Sequence, residues 1–380
     1  MNNRIVPILA LSVFSSMLGV GIISPLLPLY AENLGATGIW LGAVFAGFSL
    51  SRAVFMPIVG RLSDRYGRKL FLCSGLLAYA VSSLGYIWAD SIPELMLVRL
   101  LHGATSGMVI PIAQAYVADI SPRGKEGTWM GYFNAAFFSG FGCGPLMGGV
   151  LTDHFGLTAA FSTMGALNLL AFLLALIYLP ETVHAGVTRP QLSFRKAGSS
   201  RLIRGLFSFN MSFSIYRGIF ATFVPIFAAL QIGLTPTLIG IVLATNILLM
   251  SLLQVYWGSI ADRFPRRGLV AIGSIMNAGF LTLVPWVGSF WLLLGLGIFG
   301  ALGDAIAMPA ASALTIEAGR QFGMGSTVAL LGVGASIGMT IGPLLGGAVA
   351  DGISLSAAFY LGAVLELVGM GYFLWSSRRT

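Results

Sequence analysis

The chain reads as a series of long apolar runs broken by short polar segments. The runs lie near 5–29, 38–60, 69–89, 94–118, 127–150, 158–179, 205–229, 236–259, 268–288, 290–316, 326–350 and 355–376. Each is close to the roughly 20 residues that a helix needs to cross about 30 Å of hydrocarbon. The runs are continuous and do not alternate with a period of two, so they predict helices. A helix satisfies its own backbone polar groups in lipid, as an open strand cannot. The longest polar stretch, 181–204, is basic and contains Pro190, Ser193, Ser199 and Ser200. It reads as a linker between a first six-helix half, 1–180, and a second, 205–380. The predicted fold class is an all-α integral membrane protein of twelve transmembrane helices in two bundles.

Composition agrees and excludes other classes. Charged residues are 9% of the 380-residue chain, against about 25% in soluble domains. Mean hydropathy is +0.89. Too little charge is present to cover a soluble surface, which excludes a cytosolic enzyme or a nucleic-acid binder despite a net charge of +8. Cys73 and Cys143 both fall in apolar runs and are expected to be packing residues. Met1–Arg4 lead into a span-length run without a small-residue cleavage site, so the first helix is expected to be its own insertion signal.

Placing the charges sharpens this reading. Lys and Arg accumulate in cytoplasmic loops. With the N-terminus inside, Arg4, Arg61, Arg65, Arg68, Lys69, Arg123, Lys125, Arg189, Arg195, Lys196, Arg201, Arg204, Arg263, Arg266, Arg267, Arg320, Arg378 and Arg379 are cytoplasmic, 18 of the 21 basic residues. Glu32, Asp90, Glu94, Asp153 and Asp351 occupy the outer ends and loops. Both termini are therefore expected in the cytoplasm. The high pI needs no anionic partner.

The chain also repeats itself at an offset of 198 residues. Gly60-Arg-Leu-Ser-Asp64-Arg65-Tyr-Gly67-Arg68-Lys69 matches Gly258-Ser-Ile-Ala-Asp262-Arg263-Phe-Pro265-Arg266-Arg267. Pro111 matches Pro309, and Asp119 matches Glu317. Gly140, Gly144, Pro145, Gly148 and Gly149 match Gly338, Gly342, Pro343, Gly346 and Gly347. Asp153 matches Asp351, and Phe161 matches Phe359. One ungapped offset over so many spans implies two homologous halves in parallel orientation.

With these motifs the sequence resembles the major facilitator superfamily, and within it the twelve-helix drug:proton antiporters that include tetracycline exporters. Gly60–Lys69 resembles the loop 2–3 signature G-x-x-x-D-R-x-G-R-K. Gly21-Ile-Ile-Ser-Pro25-Leu-Leu-Pro28 resembles the first-helix motif of the antiporter group. Arg99-Leu-Leu-His102-Gly103 resembles its fourth-helix motif. The Gly140–Gly149 segment resembles the fifth-helix motif of exporters, and Leu-Pro-Glu181-Thr closes helix six as is usual in the group. The resemblance covers the whole chain. It implies alternating access, with a central cavity between the halves opening to each side in turn, and a gate role for Gly60, Asp64 and Arg65. It also implies a proton-coupling role for Arg99. Many relatives keep a mid-membrane acid in the first helix; here the nearest is Glu32, at its outer end.

Candidate functional residues fall into three groups. The first is the cytoplasmic gate: Gly60, Asp64, Arg65, Gly67, Arg68, Asp262 and Arg263. A carboxylate such as Asp64 can cap a helix end and pair with basic neighbours. Alternatively, the basic residues merely anchor topology. Pro265 stands where the first copy has Gly67, so the second turn is expected to differ. The second group is the small-residue strip of Gly140, Gly144, Pro145, Gly148 and Gly149 with Gly342, Pro343 and Gly346. Such strips allow close helix approach. Helices five and eleven are expected to pack against opposite halves and form the moving interface.

The third group is the charges inside spans: Arg52, Arg99, Arg217, Asp304 and Glu366. None recurs in the other half, where Met250, Gly297, Gly19, Ser106 and Asn168 stand. A charge at the bilayer centre costs about 2.5–3.5 kcal/mol on insertion scales, so it marks function or a buried pair. Helices four, seven and ten line the cavity in the family, which makes Arg99, Arg217 and Asp304 the candidates for coupling. Asp304 would carry the proton, and an Arg beside it would set its proton affinity. His102 shares a helix face with Arg99 and either titrates or simply packs. Helix twelve is peripheral in the family, so Glu366 either couples or faces a helix interface.

No metal cluster is legible and no P-loop pattern occurs, so a proton gradient is the expected energy source and no cofactor is expected. The expected protein is a monomeric, proton-coupled exporter of small amphipathic compounds in a prokaryotic inner membrane. Its partners would be the substrate, protons and the bilayer, with no nucleic acid. Transport of organic anionic metabolites or sugars, or lipid or glycolipid translocation, stands as the alternative. An enzyme is not expected.

Overall fold

The computed structural model describes residues 5–120, 126–181, 200–261, 263–322 and 324–377. Among them are twelve α-helices and no strand. They are α1 (Ile5–Asn33), α2 (Gly38–Tyr66), α3 (Arg68–Trp88), α4 (Ile92–Ile120), α5 (Glu126–Phe155) and α6 (Leu157–Tyr178). Then follow α7 (Arg201–Leu230), α8 (Pro236–Ala261), α9 (Arg266–Leu283), α10 (Phe290–Phe322), α11 (Met324–Gly352) and α12 (Leu355–Ser377). Each is long and apolar enough to cross a membrane. The apolar pattern thus located all twelve.

Two details differ from the pattern. The ninth apolar run is not one helix to 288: a 3₁₀ turn, Val284–Trp286, follows α9, because Pro285 has no N–H with which to continue the α-helical ladder. The expected linker 181–204 lies largely outside the described residues, but its last part is helical. Ser200 accepts a hydrogen bond from the Ile203 N–H at 3.5 Å and so caps α7, which starts at Arg201.

The chain forms two compact units that exchange the first turns of α2 and α8. Unit 1 holds Met1–Gly35, Gly47–Thr188 and Leu234–Ala244; unit 2 holds Ala36–Ala46, Arg189–Gly233 and Thr245–Thr380. Glycine explains why the first turns of α2 belong to unit 2. A Cβ on Gly42 would run into the Pro343 carbonyl of α11, and one on Gly347 into the Gly38 carbonyl. The first turns of α8 pack in the same way within unit 1, where Gly240 lies against Pro145 and Gly149 against Pro236.

Within unit 1, α1 packs on α5 and α6, and α3 on α4 and α6. Within unit 2, α7 packs on α11 and α12, and α9 on α10 and α12. These are the same pairings shifted by six helices, as the 198-residue repeat requires. Leu9, Leu72, Leu76, Tyr79, Val109 and Tyr116 belong to the core of unit 1. Ile203, Leu206, Phe209, Val270, Ala307 and Phe373 do so in unit 2. Cys73 is buried, Cys143 is exposed, and both are free thiols.

The small-residue strips serve two contacts. Gly149 and Gly347 at their ends meet the first turns of α8 and α2, helices of the other sequence half, and the rest of each strip packs on the first helix of its own half. A Cβ on Gly144 would sit 2.5 Å from Gly21 Cα on α1, and one on Gly148 2.6 Å from the Ile22 carbonyl. Gly140 meets Phe14 of the same helix. In unit 2 the equivalent contacts are Gly338 to Met211, Gly342 to Ile215 at 2.7 Å and Gly346 to Phe223 at 2.7 Å, all on α7. The backbones approach too closely for any side chain, and Pro145 and Pro343 ride within the same helices, α5 and α11.

Candidate functional site

The unrepeated charges of unit 2 come together. Arg217 on α7 donates from Nη1 to Asp304 Oδ2 on α10 at 2.9 Å, and to Asn246 Oδ1 on α8 at 3.1 Å. Asn277 Nδ2 on α9 donates to Asp304 Oδ1 at 2.9 Å. Asn246 Nδ2 in turn donates to the Gly297 carbonyl at 3.0 Å. Four helices therefore hold one carboxylate and one guanidinium. Asp304 is fully buried, while the Arg217 side chain keeps 17% exposure. The Arg217 guanidinium also lies 5.2 Å from the Phe220 ring centroid, a cation–π distance. Such a pair survives in lipid because every carboxylate oxygen has a donor.

Arg99 and His102 belong to a separate cluster in unit 1. Arg99 Nη1 donates to the Tyr86 hydroxyl at 3.4 Å, and its guanidinium carbon lies 4.6 Å from the Phe48 ring centroid. The Tyr86 hydroxyl is 2.8 Å from His102 Nδ1. The His102 ring stands edge-on to Tyr79 at 4.4 Å. His102 Nε2, the Tyr79 hydroxyl and the Ser106 hydroxyl have no partner. Arg52 is half-buried on α2 of unit 1, where its carbonyl lies against Gly107 of α4.

The two clusters share one register. Asp304 occupies the repeat position of Ser106, Asn277 that of Tyr79, Asn246 that of Phe48 and Gly297 that of Arg99. The position that holds an aromatic ring under a cation in unit 1 holds an amide in unit 2. The same scaffold thus carries an ion pair in one unit and an aromatic–cation cluster in the other.

Glu366 on α12 does not join the ion pair. It is fully buried and neither carboxyl oxygen has a hydrogen-bond partner.

The candidate gate residues are only partly described. The side chains of Asp64 and Arg61 and all of Asp262 lie outside the described residues; a Cβ on Gly60 would meet nothing within 4 Å, and Arg65 and Arg263 are exposed. The described partners are different acids. Arg68 Nε donates to Asp119 Oδ2 at 3.0 Å, and Arg68 Nη1 to the Ser63 hydroxyl at 2.9 Å. The repeat makes the equivalent pair, Arg266 Nη1 to Glu317 Oε2 at 3.4 Å, in a more exposed setting. Gly67 has φ +103°, a backbone region that disfavours any Cβ. A Cβ there would also strike the Glu181 carboxylate, which accepts the Lys69 N–H at 3.1 Å and thereby caps α3. Pro265, at φ −59°, starts α9 without that geometry, as its sequence suggests.

Two acids on the repeat cap helices, a role that sequence alone left unassigned. Asp351 accepts the Gly38 and Ile39 N–H groups at 2.6 and 2.8 Å, and Asp153 accepts the Thr237 N–H at 2.9 Å. Ile39 and Thr237 are themselves 198 residues apart. The carboxylates answer the exposed donors and positive end of the α2 and α8 dipoles.

Comparisons with known proteins agree with this architecture. The family model described as Major Facilitator Superfamily matches residues 9–231 and 206–380. An uncharacterized MFS-type transporter of Methanocaldococcus jannaschii is 31% identical over 373 residues, covering 94% of each chain. The quinolone resistance protein NorA of Staphylococcus aureus is 27% identical over 377 residues, covering 97% of this chain and 95% of its own. Among solved structures, a bacterial homologue of the human lysosomal transporter Spinster, inward-facing and occupied, superimposes with TM-score 0.85 at 14% identity. It covers 99% of this chain and 97% of that one. The human organic anion transporter MFSD10 does so with TM-score 0.68 at 19% identity, over 97% and 99%.

Proposed function

The chain belongs to the major facilitator superfamily, and from that membership we propose that it exports small amphipathic compounds in exchange for protons. It is a multi-pass membrane transporter of small molecules and not an enzyme. The observation that carries the coupling proposal is the buried Arg217–Asp304 pair, 2.9 Å apart and absent from the repeat. A residue kept in one half alone does something that the shared scaffold does not need.

In this reading Asp304 binds the proton. Protonation at Oδ2 removes the acceptor that holds Arg217, leaving the guanidinium bound to Asn246 and free to turn. The proton leaves Oδ2 when Arg217 returns, because a cation favours the carboxylate. Coupling follows if only one of the two arrangements suits each orientation of the transporter. Arg99 would tune the unit 1 cluster through Tyr86 and His102. The similarity to NorA, a quinolone resistance protein, supports export of drug-like compounds. The distribution of Lys and Arg supports cytoplasmic termini; a prokaryotic plasma membrane, the proton gradient as energy source and a monomeric working form complete the reading.

The test uses everted vesicles carrying a pH gradient. A compound that the protein exports should dissipate the gradient on addition, and Asp304→Asn should abolish that response. No proton movement with any compound of a broad amphipathic panel would refute the proposal.

A second reading, transport of organic anions, is favoured by Arg52, a half-buried cation for which the described residues offer no ion pair. Arg52→Gln should then abolish anion binding. Unchanged binding would refute this reading.

A further inference from the structure

Glu366 is a second fully buried carboxyl group in unit 2. Its surroundings can be enumerated. Around α12 pack α7, α9, α11 and the 3₁₀ turn. From α7 come Ser212, Tyr216 and Arg217, and from α9 Ser274 and Asn277; Asp304 on α10 is within electrostatic reach. The only ionisable side chain of α11 is Asp351, near its end, and the 3₁₀ turn has none. Arg217 is the one cation among these groups, and it is already held by Asp304 and Asn246.

An ionised carboxylate here would be fully buried with no cation of its own, only the Ser212 and Ser274 hydroxyls beside it, an arrangement that interiors disfavour. A protonated acid has only one O–H to place. The Ser274 hydroxyl beside it has no partner either and can accept that proton bond. The repeat supplies a control. Asn168 stands at the position of Glu366 and is satisfied as a neutral amide: Ser16 donates to its Oδ1 at 3.2 Å, and its Nδ2 donates to the Met164 carbonyl at 2.9 Å. The scaffold therefore needs a neutral polar group at this position, and unit 2 fills it with one that can release a proton.

We propose that Glu366 is a second proton-binding site, which carries a proton at rest and exchanges it with Asp304. The exchange is balanced. The Glu366 O–H bond breaks, an O–H bond forms on Asp304, and the Arg217 guanidinium passes from one carboxylate to the other. Net charge stays constant, with one cation and one anion before and after. The Tyr216 hydroxyl, buried within the field of Asp304, Arg217 and Glu366, would relay the proton. The inference rests on the reading that Asp304 and Arg217 carry the coupling proton.

Infrared spectroscopy of the purified protein tests it without any substrate. The chain has six glutamates, so ¹³C-carboxyl glutamate labelling separates Glu366 from every aspartate. The expected result is an isotope-shifted band of a protonated acid at neutral pH. It should be lost in Glu366→Gln, and weakened in Asp304→Asn, where Arg217 has lost its own carboxylate. Absence of a shifted band in the unsubstituted protein would overturn the assignment, whether or not the variants fold. A band that Asp304→Asn leaves unchanged would overturn the exchange. Either failure leaves export itself standing, because export is read in vesicles with Asp304→Asn.

Discussion

Arg217 and Asp304 meet at 2.9 Å across α7 and α10, and their nearest repeat counterparts are Gly19 and Ser106. The pair is therefore an addition to one unit, built on a frame that stands without it in the other. Removing the two members should have different consequences. Arg217→Ala leaves a buried carboxylate uncompensated and should destabilise the protein by about 3–5 kcal/mol unless Asp304 takes up a proton. Asp304→Asn keeps an acceptor for Arg217 and should cost far less. Thermal melting of both variants in detergent checks this: Arg217→Ala should melt well below Asp304→Asn.

The Arg68–Asp119 pair and its repeat, Arg266–Glu317, differ chiefly in exposure. Side-chain exposures are 8% and 24% in the first pair, against 33% and 53% in the second. A double-mutant cycle to alanine should give a coupling above about 1 kcal/mol for Arg68–Asp119. Exposed pairs are typically worth about 0.2–1 kcal/mol, so Arg266–Glu317 should fall at or below that range. Equal couplings would contradict the assignment of the stronger contact to unit 1.

At Gly67 two constraints coincide, a φ of +103° and contact with Glu181. Gly67→Ala should therefore destabilise the protein by more than the roughly 1–3 kcal/mol of a residue held in a glycine-only backbone region. Glu181→Ala removes a cap and should cost about 0.5–2 kcal/mol. In the Glu181→Ala background, Gly67→Ala should keep only the backbone part of its cost. Chemical denaturation of the two single variants and the double variant separates the parts.

Asp153 and Asp351 cap helix starts at equivalent positions of separate units. Asp→Ala at each should cost about 1 kcal/mol, and the double variant should show the sum, because the two sites share no partner. Melting of the three variants checks the additivity.

Much of this fold was legible in the sequence. The length of each apolar run counted the spans, and the 198-residue offset revealed the repeat that the helix pairings then reproduced. The offset also sorted the acids: Asp119 recurs as Glu317 and Asp153 as Asp351, and these pair or cap helices, whereas Asp304 and Glu366 do not recur. Pairing was less legible. Helical periodicity places Arg217 and Asp304 on faces but cannot say which helices meet, so Asn246 and Asn277, both needed to satisfy the pair, were missed. An amide in an apolar span gives a weaker signal than a charge. The spacing of the glycine strips shows only that some helix comes close. The identity of that helix is fixed by the small residues opposite, such as Gly21 facing Gly144.

The central claim is that Asp304 couples proton movement to substrate movement. Its most direct test is a comparison of two modes of transport in proteoliposomes containing Asp304→Asn. Exchange of labelled for unlabelled substrate, with no gradient imposed, needs only the binding and reorientation steps and should remain within a few-fold of the unsubstituted protein. Accumulation driven by a pH gradient needs the proton and should be lost. If Asp304→Asn still accumulates substrate against its gradient at the unsubstituted rate when the pH gradient is imposed, Asp304 does not carry the coupling proton.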